Sequence, residues 1–133
     1  MTVYGSNLSG AILAGGKNTR FPKIKAFIKI DGITIIEKNI SILRHLFEEV
    51  IISANQTEIY KPFDVPIVQD SLPSRGPLTG IYSCLKVCRG NALFVVACDM
   101  PLVSKEIIIT LCDYYLSVKG SVSALVPIFM GRS

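Results

Sequence analysis

Basic side chains follow a pair of glycines near the start of the chain, and their spacing suits the binding of a polyphosphate. The apolar run of residues 8–14 ends at Gly15 and Gly16, and Arg20 and Lys25 come soon after. Small residues let backbone N–H groups approach an anion closely, while guanidinium and ammonium groups neutralise phosphate charge that these dipoles alone cannot hold. The segment therefore predicts a strand that leads into a phosphate-binding loop, with a nucleotide as the expected ligand.

Several familiar catalytic and phosphate-binding motifs are absent from the sequence. The loop after residue 14 has neither the GxxxxGK[ST] spacing of a P-loop nor the GxGxxG spacing of a dinucleotide fold, which disfavours kinase-like and dehydrogenase readings. No GxSxG segment occurs, and the sole histidine, His45, falls in a predicted helix where a surface or boundary position is expected. A Ser-His-Asp hydrolase is therefore disfavoured as well.

Asp99 is the strongest candidate for a metal ligand. It comes directly after the very apolar segment 92–97 and Cys98, and Met100 and Pro101 follow it. Mg²⁺ prefers one or two carboxylates together with substrate phosphates and water, so one aspartate at the end of a strand can recruit a nucleotide-bound ion. The competing role of Asp99 is a helix cap, but Ser104 is better placed to cap the next helix.

Two further polar residues follow apolar segments, and the sequence leaves their roles open. Asp70 precedes a loop that contains Gly76 and Pro77, and it suits either a site or an ordinary Asx-turn. Asn55 carries an amide that can pair with donor and acceptor groups on a base edge, but asparagine after a strand is also a common turn residue.

These residues are separated by alternating strand and helix patterns. Apolar β-branched runs predict buried parallel strands, and apolar residues recurring at three and four positions predict helices. The predicted strands are residues 10–14, 50–54, 65–68, 92–97 and 122–126, and the predicted helices are 34–47, a short helix near Glu58, 77–87, and a helix after the Ser104 cap through residue 116.

This alternation predicts the fold class α/β, with a mostly parallel, Rossmann-like sheet covered by helices on both faces. Parallel strands need crossover connections, which place helices on the sheet faces. Ligands of such sheets bind outside the carboxyl ends of the strands. The loops after Ala14, Ala54, Val68 and Ala97 are therefore expected to converge on one cleft.

Composition favours one compact domain, residues 1–133, with a small anionic ligand. The chain has 133 residues, 50% of them hydrophobic, and a formal net charge of +4. Because the chain has no long run of like charges and several of its basic residues lie in the glycine loop, a small polyanion is expected rather than nucleic acid or a membrane. With no secretory or membrane-spanning segment in the sequence, the expected location is cytoplasmic.

The four cysteines are expected to act as small core residues. Cys84, Cys88, Cys98 and Cys112 show no CxxC spacing, and three of them fall in apolar segments. A zinc site or disulfides are therefore not expected.

Taken in order along the chain, several motifs together resemble the molybdenum cofactor guanylyltransferase family. They are LAGG-KNT-R-F with Lys25, SAN at residues 53–55, QDSLPSRGPLTGI at 69–81 and ACDMPLV at 97–103. The resemblance implies a glycosyltransferase-A-like fold, a three-layer α/β/α arrangement of the nucleotide-diphospho-sugar transferase type. It also implies transfer of GMP from GTP to molybdopterin or the molybdenum cofactor, with release of pyrophosphate.

The resemblance further implies a set of site residues and a Mg²⁺ cofactor. GTP would lie along Leu13, Ala14 and Gly15, the phosphates would meet Gly16, Arg20 and Lys25, Asn55 would read the guanine, Asp70 would contact the nucleotide, and Asp99 would hold Mg²⁺. Arg20, Lys25 and Asp99 are the expected catalytic residues. Molybdoenzymes or other cofactor-biosynthesis proteins are the expected protein partners.

The sequence departs from the family pattern at two places. Pro22 and Ile24 replace a glycine and an acidic residue of the phosphate loop, and the chain stops at Ser133 where family members continue. Proline removes an N–H group that could contact phosphate, and isoleucine removes a partner of Lys25. The chain is expected to be the nucleotide-binding portion of a longer one. The alternatives that stay open are a related CTP- or sugar-phosphate nucleotidyltransferase and a non-catalytic nucleotide-binding module.

Overall fold

The computed structural model describes residues 2–14, 29–55, 57–69, 77–98, 100 and 103–125. The chain divides into two compact units, Met1–Leu102 and Val103–Ser133. The described residues contain six strands, three α-helices and one 3₁₀ helix. Four of the strands form the sheet that positions the candidate site.

That sheet lies in the first unit and is entirely parallel. Its strands are β1 (Leu8–Leu13), β4 (Val50–Ser53), β5 (Ile67–Val68) and β6 (Ala92–Ala97). Their order across the sheet is β5-β4-β1-β6, so that Ala11 of β1 pairs with Ile51 on one side and with Val95 on the other. The predicted strands at these four places and the α/β class are confirmed, with strand ends shifted by two residues or fewer, and β5 is an edge strand as its weak pattern indicated.

A two-stranded antiparallel sheet precedes the first described helix. It consists of β2 (Lys29–Ile30) and β3 (Ile33–Thr34), joined by Asp31 and Gly32 with φ of 55° and 84°. Positive φ at both central residues is the requirement of a type I′ turn, for which Asp-Gly is a preferred pair. The sequence predictions missed this hairpin, although an Asp-Gly pair between apolar residues is its recognised signal.

Helix α1 (Ile35–Leu46) begins at a capping box. The Thr34 hydroxyl accepts a hydrogen bond from the backbone N–H of Glu37 at 3.2 Å, and the Glu37 carboxylate accepts one from the backbone N–H of Thr34 at 3.1 Å. The two bonds satisfy N–H groups that the first helical turn would leave unpaired. The helix predicted over 34–47 is confirmed, with its first and last residues serving as caps. His45 is exposed on this helix, as predicted.

Helices α1 and α2 (Pro77–Val87) cover opposite faces of the sheet. Gly10 lies against the Phe47 ring at the end of α1, whereas Ala11 packs with Ile51 and with Cys84 of α2. Successive residues of a strand point to opposite faces, so the two contacts place the helices on opposite sides. The prediction that helices cover both faces of the sheet is confirmed, and so is the expected core position of Cys84.

The amino-terminal edge of the sheet is held by one carboxylate. Glu49 accepts hydrogen bonds from the Ser9 hydroxyl at 2.8 Å, from the backbone N–H of Arg89 at 2.6 Å and from the Arg89 guanidinium at 3.3 Å. Ser9 Oγ in turn accepts from the N–H of Gly90 at 3.0 Å. Burial would raise the pKa of Glu49, but these hydrogen bonds and the Arg89 charge outweigh it and lower the pKa. This cluster joins β1, β4 and the turn before β6 at the edge opposite the strand carboxyl ends.

The second unit contains helix α3 (Lys105–Val118). Ser104 caps it by accepting a hydrogen bond from the N–H of Ile107 at 3.2 Å, as predicted, and the helix runs two residues further than expected. The strand predicted over 122–126 is wrong for residues 122–125, which form no strand, and residue 126 lies outside the described residues. A short β-branched run becomes a strand only where a neighbouring strand pairs with it. In the described part of the chain, no helix is both long and apolar enough to cross a membrane.

The four cysteines are free thiols. Cys84 and Cys112 are buried, whereas Cys88 and Cys98 are partly buried. Burial, helped by the negative charge of Asp113, raises the pKa of Cys112 to about 11, and burial also raises that of Cys88. These two thiols are protonated at neutral pH, which suits side chains that pack rather than react.

Candidate functional site

The carboxyl ends of the strands meet at one edge of the sheet, where backbone hydrogen bonds hold the first residue of several loops. In each case the residue after one strand donates its N–H to the last residue of the neighbouring strand. The bonds run from Ala14 to Ser53, from Ala54 to Val68 and from Cys98 to Leu13, with N···O distances of 2.8, 3.0 and 3.0 Å. The convergence predicted for the loops after Ala14, Ala54, Val68 and Ala97 is therefore confirmed at their starting points.

The described site residues from the sequence prediction lie at this edge. Leu13 ends β1 and is partly buried, Ala14 is buried, and Asn55 is exposed two residues after β4. Leu13 and Ala14 thus present mainly backbone to the edge, whereas Asn55 presents a side chain to solvent. The other predicted site residues, Gly15, Gly16, Arg20, Lys25, Asp70 and Asp99, lie outside the described residues, as do Pro22 and Ile24.

The loops after β4 and β5 contact each other directly. Gln69 Nε2 donates a hydrogen bond to the backbone carbonyl of Asn55 at 3.3 Å. The sequence places Asp70 immediately after Gln69. Asn55 therefore contacts the residue that follows β5, while Asp70 itself lies outside the described residues.

Helix α2 begins at the same edge and approaches the sheet closely. A Cβ at Gly80 would lie 2.7 Å from Ser53 Oγ and 3.3 Å from Leu13 Cδ2, so only glycine fits there without displacement. Leu13 and Ser53 are the last residues of their strands. The first half of α2 consequently lies beside the strand ends, with no acidic residue in its first turn. The amino-terminal end of a helix carries partial positive charge, and the first turn of α2 itself brings no carboxylate to it.

Two buried polar groups of the first unit lie near the segment after β6. Asn39 of α1 donates from Nδ2 to the backbone carbonyl of Met100 at 3.3 Å. Burial, and secondly the nearby Cys98 thiol, raise the pKa of Tyr60 to about 12, so its hydroxyl stays protonated at neutral pH. Tyr60 therefore serves as a neutral packing residue and not as a proton acceptor.

Sequence reasoning missed Asn39 and Gly80 as residues that shape the site. Asn39 falls on the apolar stripe of α1, three residues after Ile36 and four before Leu43. A lone amide on such a stripe is the signal that could have identified it. Gly80 ends the motif GPLTG, and a glycine inside a helical pattern signals close packing.

Residues 10–131 match the family model of the MobA-like NTP transferase domain. The chain belongs to this family. The match covers nearly the whole chain, from within β1 to past the described residues, and it confirms the resemblance drawn from the motifs.

Curated relatives of this MobA-like domain carry the name "Probable molybdenum cofactor guanylyltransferase". One from Clostridium perfringens strain SM101 is 41% identical over 125 residues, which are 93% of this chain and 61% of that protein. One from Carboxydothermus hydrogenoformans is 36% identical over 130 residues, covering 92% of this chain and 66% of that protein. The chain thus spans somewhat less than two thirds of the length of these relatives.

Solved structures share the fold of this MobA-like domain. A protein of Aquifex aeolicus VF5 superposes with a TM-score of 0.65 at 30% identity, over 81% of this chain and 58% of that one. Molybdopterin-guanine dinucleotide biosynthesis protein A from Archaeoglobus fulgidus gives 0.61 at 21% identity, over 85% and 57%. CMP:2-keto-3-deoxy-manno-octonic acid synthetase complexed with CTP gives 0.68 at 14% identity, over 84% and 48%. At these lower identities the likeness shows the fold alone.

Proposed function

We propose that this protein transfers GMP from GTP to molybdopterin or the molybdenum cofactor, forming the guanine dinucleotide cofactor and pyrophosphate. The proposal is supported by the family match, whose motifs occur in order along the chain, and by the strand ends that meet at one edge of the sheet. Ala14, Asn55 and Cys98 follow three adjacent strands and lie where those strands end. The motifs that follow these positions in the sequence carry the types of group that a nucleotide requires.

The proposed roles follow from the chemistry of each side chain. Arg20 and Lys25 neutralise the triphosphate, because a guanidinium can hold two phosphate oxygens and an ammonium acts as a point charge. Asn55 reads the guanine edge with an amide that both donates and accepts. Asp70 contacts the nucleotide, and it follows Gln69, which is hydrogen-bonded to Asn55.

Asp99 suits Mg²⁺ that is bound mainly through substrate phosphate. One carboxylate with phosphate oxygens and water is an arrangement that Mg²⁺ favours. Asp99 follows Cys98, whose backbone is hydrogen-bonded to the sheet, so Asp99 is the residue we propose to hold the ion. When bound, Mg²⁺ would neutralise charge that develops on the phosphates during transfer.

The protein's own contribution to the reaction is positioning and charge neutralisation. A phosphate oxygen of the acceptor attacks the α-phosphorus of GTP, the bond from that phosphorus to the bridging oxygen breaks, and pyrophosphate leaves with the electron pair. The acceptor phosphate is already anionic at neutral pH, so no protein base is needed. Residues that align the two substrates lower the barrier by replacing a bimolecular encounter with a pre-oriented one.

The test measures pyrophosphate release by the full-length chain from GTP, with molybdopterin as acceptor and with Mg²⁺ present or withheld. We expect release that requires both GTP and Mg²⁺. Asp99→Asn should lower it by roughly 100-fold or more, because the variant loses the carboxylate charge that binds the ion. Wild-type protein that binds GTP but releases no pyrophosphate with the acceptor would contradict the proposal.

A matched control is Asp64→Asn. Asp64 is exposed, precedes β5 at the opposite end of the strands, and has φ of 56°, a conformation that asparagine adopts readily. Its activity should equal that of the wild type. Competition among GTP, CTP, ATP and UTP completes the test, since a preference for CTP or UTP would oppose the role of Asn55 and favour a related nucleotidyltransferase.

A further inference from the structure

Asn39 is a buried polar side chain on a face of α1 whose other buried residues are apolar. It is 1% exposed, and its Nδ2 donates to the carbonyl of Met100 at 3.3 Å. Within the described residues its Oδ1 has no hydrogen-bond partner. An amide that is buried with one acceptor unpaired costs free energy that an aliphatic side chain at the same place would not cost. Among the described residues, the polar contact of this side chain is the Met100 carbonyl.

The contact of Asn39 matters because of where Met100 lies in the chain. The N–H of Cys98 is hydrogen-bonded to the carbonyl of Leu13 at 3.0 Å, and the carbonyl of Met100 is hydrogen-bonded to Asn39. Cys98 and Met100 are therefore each anchored, Cys98 to β1 and Met100 to α1. The residue between them in the sequence is Asp99.

We propose that Asn39 is a positioning residue, which anchors the backbone after β6 through Met100 and thereby helps Asp99 to bind its metal ion. The inference rests on the proposed function, because it assumes that Asp99 binds the metal ion. Asn39 acts through the Met100 carbonyl and does not itself touch the substrate. Groups in this position orient metal ligands and reduce the conformational cost of binding the ion.

If Asn39 has this role, a substitution can weaken metal binding without lowering the stability of the fold. Asn39→Leu is the variant that tests this. Leucine has nearly the same branching as asparagine but no amide, so it removes the unpaired acceptor and the Met100 hydrogen bond together. The free energy of unfolding should change little, because removing a buried polar side chain offsets the loss of its hydrogen bond to the Met100 carbonyl. The segment after β6 should nevertheless become looser.

The control is Ile40→Val on the same helix. Ile40 is 5% exposed and belongs to the core, and the variant loses one methyl group without touching Met100. It should lower the free energy of unfolding while leaving the segment after β6 unchanged. Asn39→Leu should therefore loosen the segment after β6 without lowering the free energy of unfolding, whereas Ile40→Val should do the opposite.

The experiment uses the full-length chain and two readouts besides activity. Amide hydrogen exchange of a peptide that spans residues 98–103, measured without nucleotide or metal, should be about tenfold faster in Asn39→Leu than in wild type. The affinity for Mn²⁺ in the presence of GTP, measured by electron paramagnetic resonance, should fall about tenfold. Ile40→Val should match wild type in both.

Unchanged exchange and unchanged Mn²⁺ affinity in Asn39→Leu would overturn the proposal. If the leucine variant does not fold, Asn39→Ala removes the same amide without an added branch and is expected to give the same two changes. Failure of the proposed function shows separately, as a wild type that binds GTP and releases no pyrophosphate. In that case the exchange difference alone still decides whether Asn39 anchors the segment.

Discussion

Gly80→Ala tests whether the close approach of α2 to the strand ends shapes the site. The added Cβ would lie 2.7 Å from Ser53 Oγ, whereas ordinary van der Waals contact begins at 3.4 Å, so the contact is 0.7 Å too short (3.4 − 2.7). Ser53 is 3% exposed, and the interface offers little room for its side chain. Either α2 moves away from β1 and β4, or Ser53 adopts another rotamer.

The magnitude of the effect is a balance of two terms. Alanine gains about 1 kcal/mol over glycine from its helix propensity, and overpacking costs about 1–3 kcal/mol. The free energy of unfolding of Gly80→Ala should thus fall by about 0–2 kcal/mol. In Gly80→Ala/Ser53→Ala the Oγ atom is gone, and the nearest remaining contacts are 3.3 Å to Leu13 Cδ2 and 3.7 Å to the Cβ of residue 53. The two substitutions should therefore couple favourably by about 1–3 kcal/mol.

The assay is urea unfolding of wild type, both single variants and the double variant. Additivity of the two changes to within about 0.5 kcal/mol would refute the reasoning. Gly120→Ala is the control, since a Cβ at Gly120 meets nothing within 4 Å. Affinity for GTP, measured by calorimetry, should fall in Gly80→Ala and recover in the double variant if a displaced α2 is the cause.

Three further predictions concern stability. Gly90→Ala should destabilise the fold by about 2–3 kcal/mol in urea unfolding, because its Cβ would lie 2.7 Å from the backbone N of Ser9, which cannot rotate away; an effect below that of Gly80→Ala would contradict this. The pKa of Glu49 is lower in the folded protein than its ordinary value of 4.5. Its contribution to the free energy of unfolding is therefore fully present above pH 4.5 and is lost as the pH falls through the folded-state pKa. As the pH is lowered below 4.5, the free energy of unfolding should thus fall less in Glu49→Gln than in wild type. Thr34→Ala should cost about 1 kcal/mol by loss of the α1 cap, and an unchanged thermal midpoint would argue against the capping box.

Local patterns predicted where the main elements begin and end. Helix α2 begins and ends at the predicted residues 77 and 87, and Pro77 suits the first helical turn. The face that α2 buries was not predicted, because its apolar Leu78 and Leu85 are exposed whereas Thr79, Ser83 and Cys84 are buried. The strands that became β1, β4 and β6 were predictable because β-branched apolar runs suit strands in a parallel sheet. Residues 122–125 include Val122 and Leu125 but form no strand, since strand formation depends on a pairing partner as much as on composition.

The candidate site was predictable only to the level of chain positions. The sequence showed that Ala14, Asn55 and Asp99 follow apolar strands, and parallel pairing then required the ends of those strands to lie at one edge of the sheet. It did not show that Gln69 contacts Asn55 or that Asn39 contacts Met100, because each contact joins residues that are distant along the chain. The family itself was recognisable from motifs, because several of them occur in order and each carries specific backbone or charge requirements.

The sequence by itself determined the alternation of strands and helices, the α/β class, the family, and the glycine-and-basic loop after β1. Each of these depends on residue type and short-range spacing, which are present in the unfolded chain. Only the tertiary structure decided that α2 contacts the sheet closely at Gly80, that Glu49 joins the amino-terminal edge, and that Asn39 anchors the segment before Pro101. These features are contacts between separated segments, and their geometry is set only when the helices pack on the completed sheet.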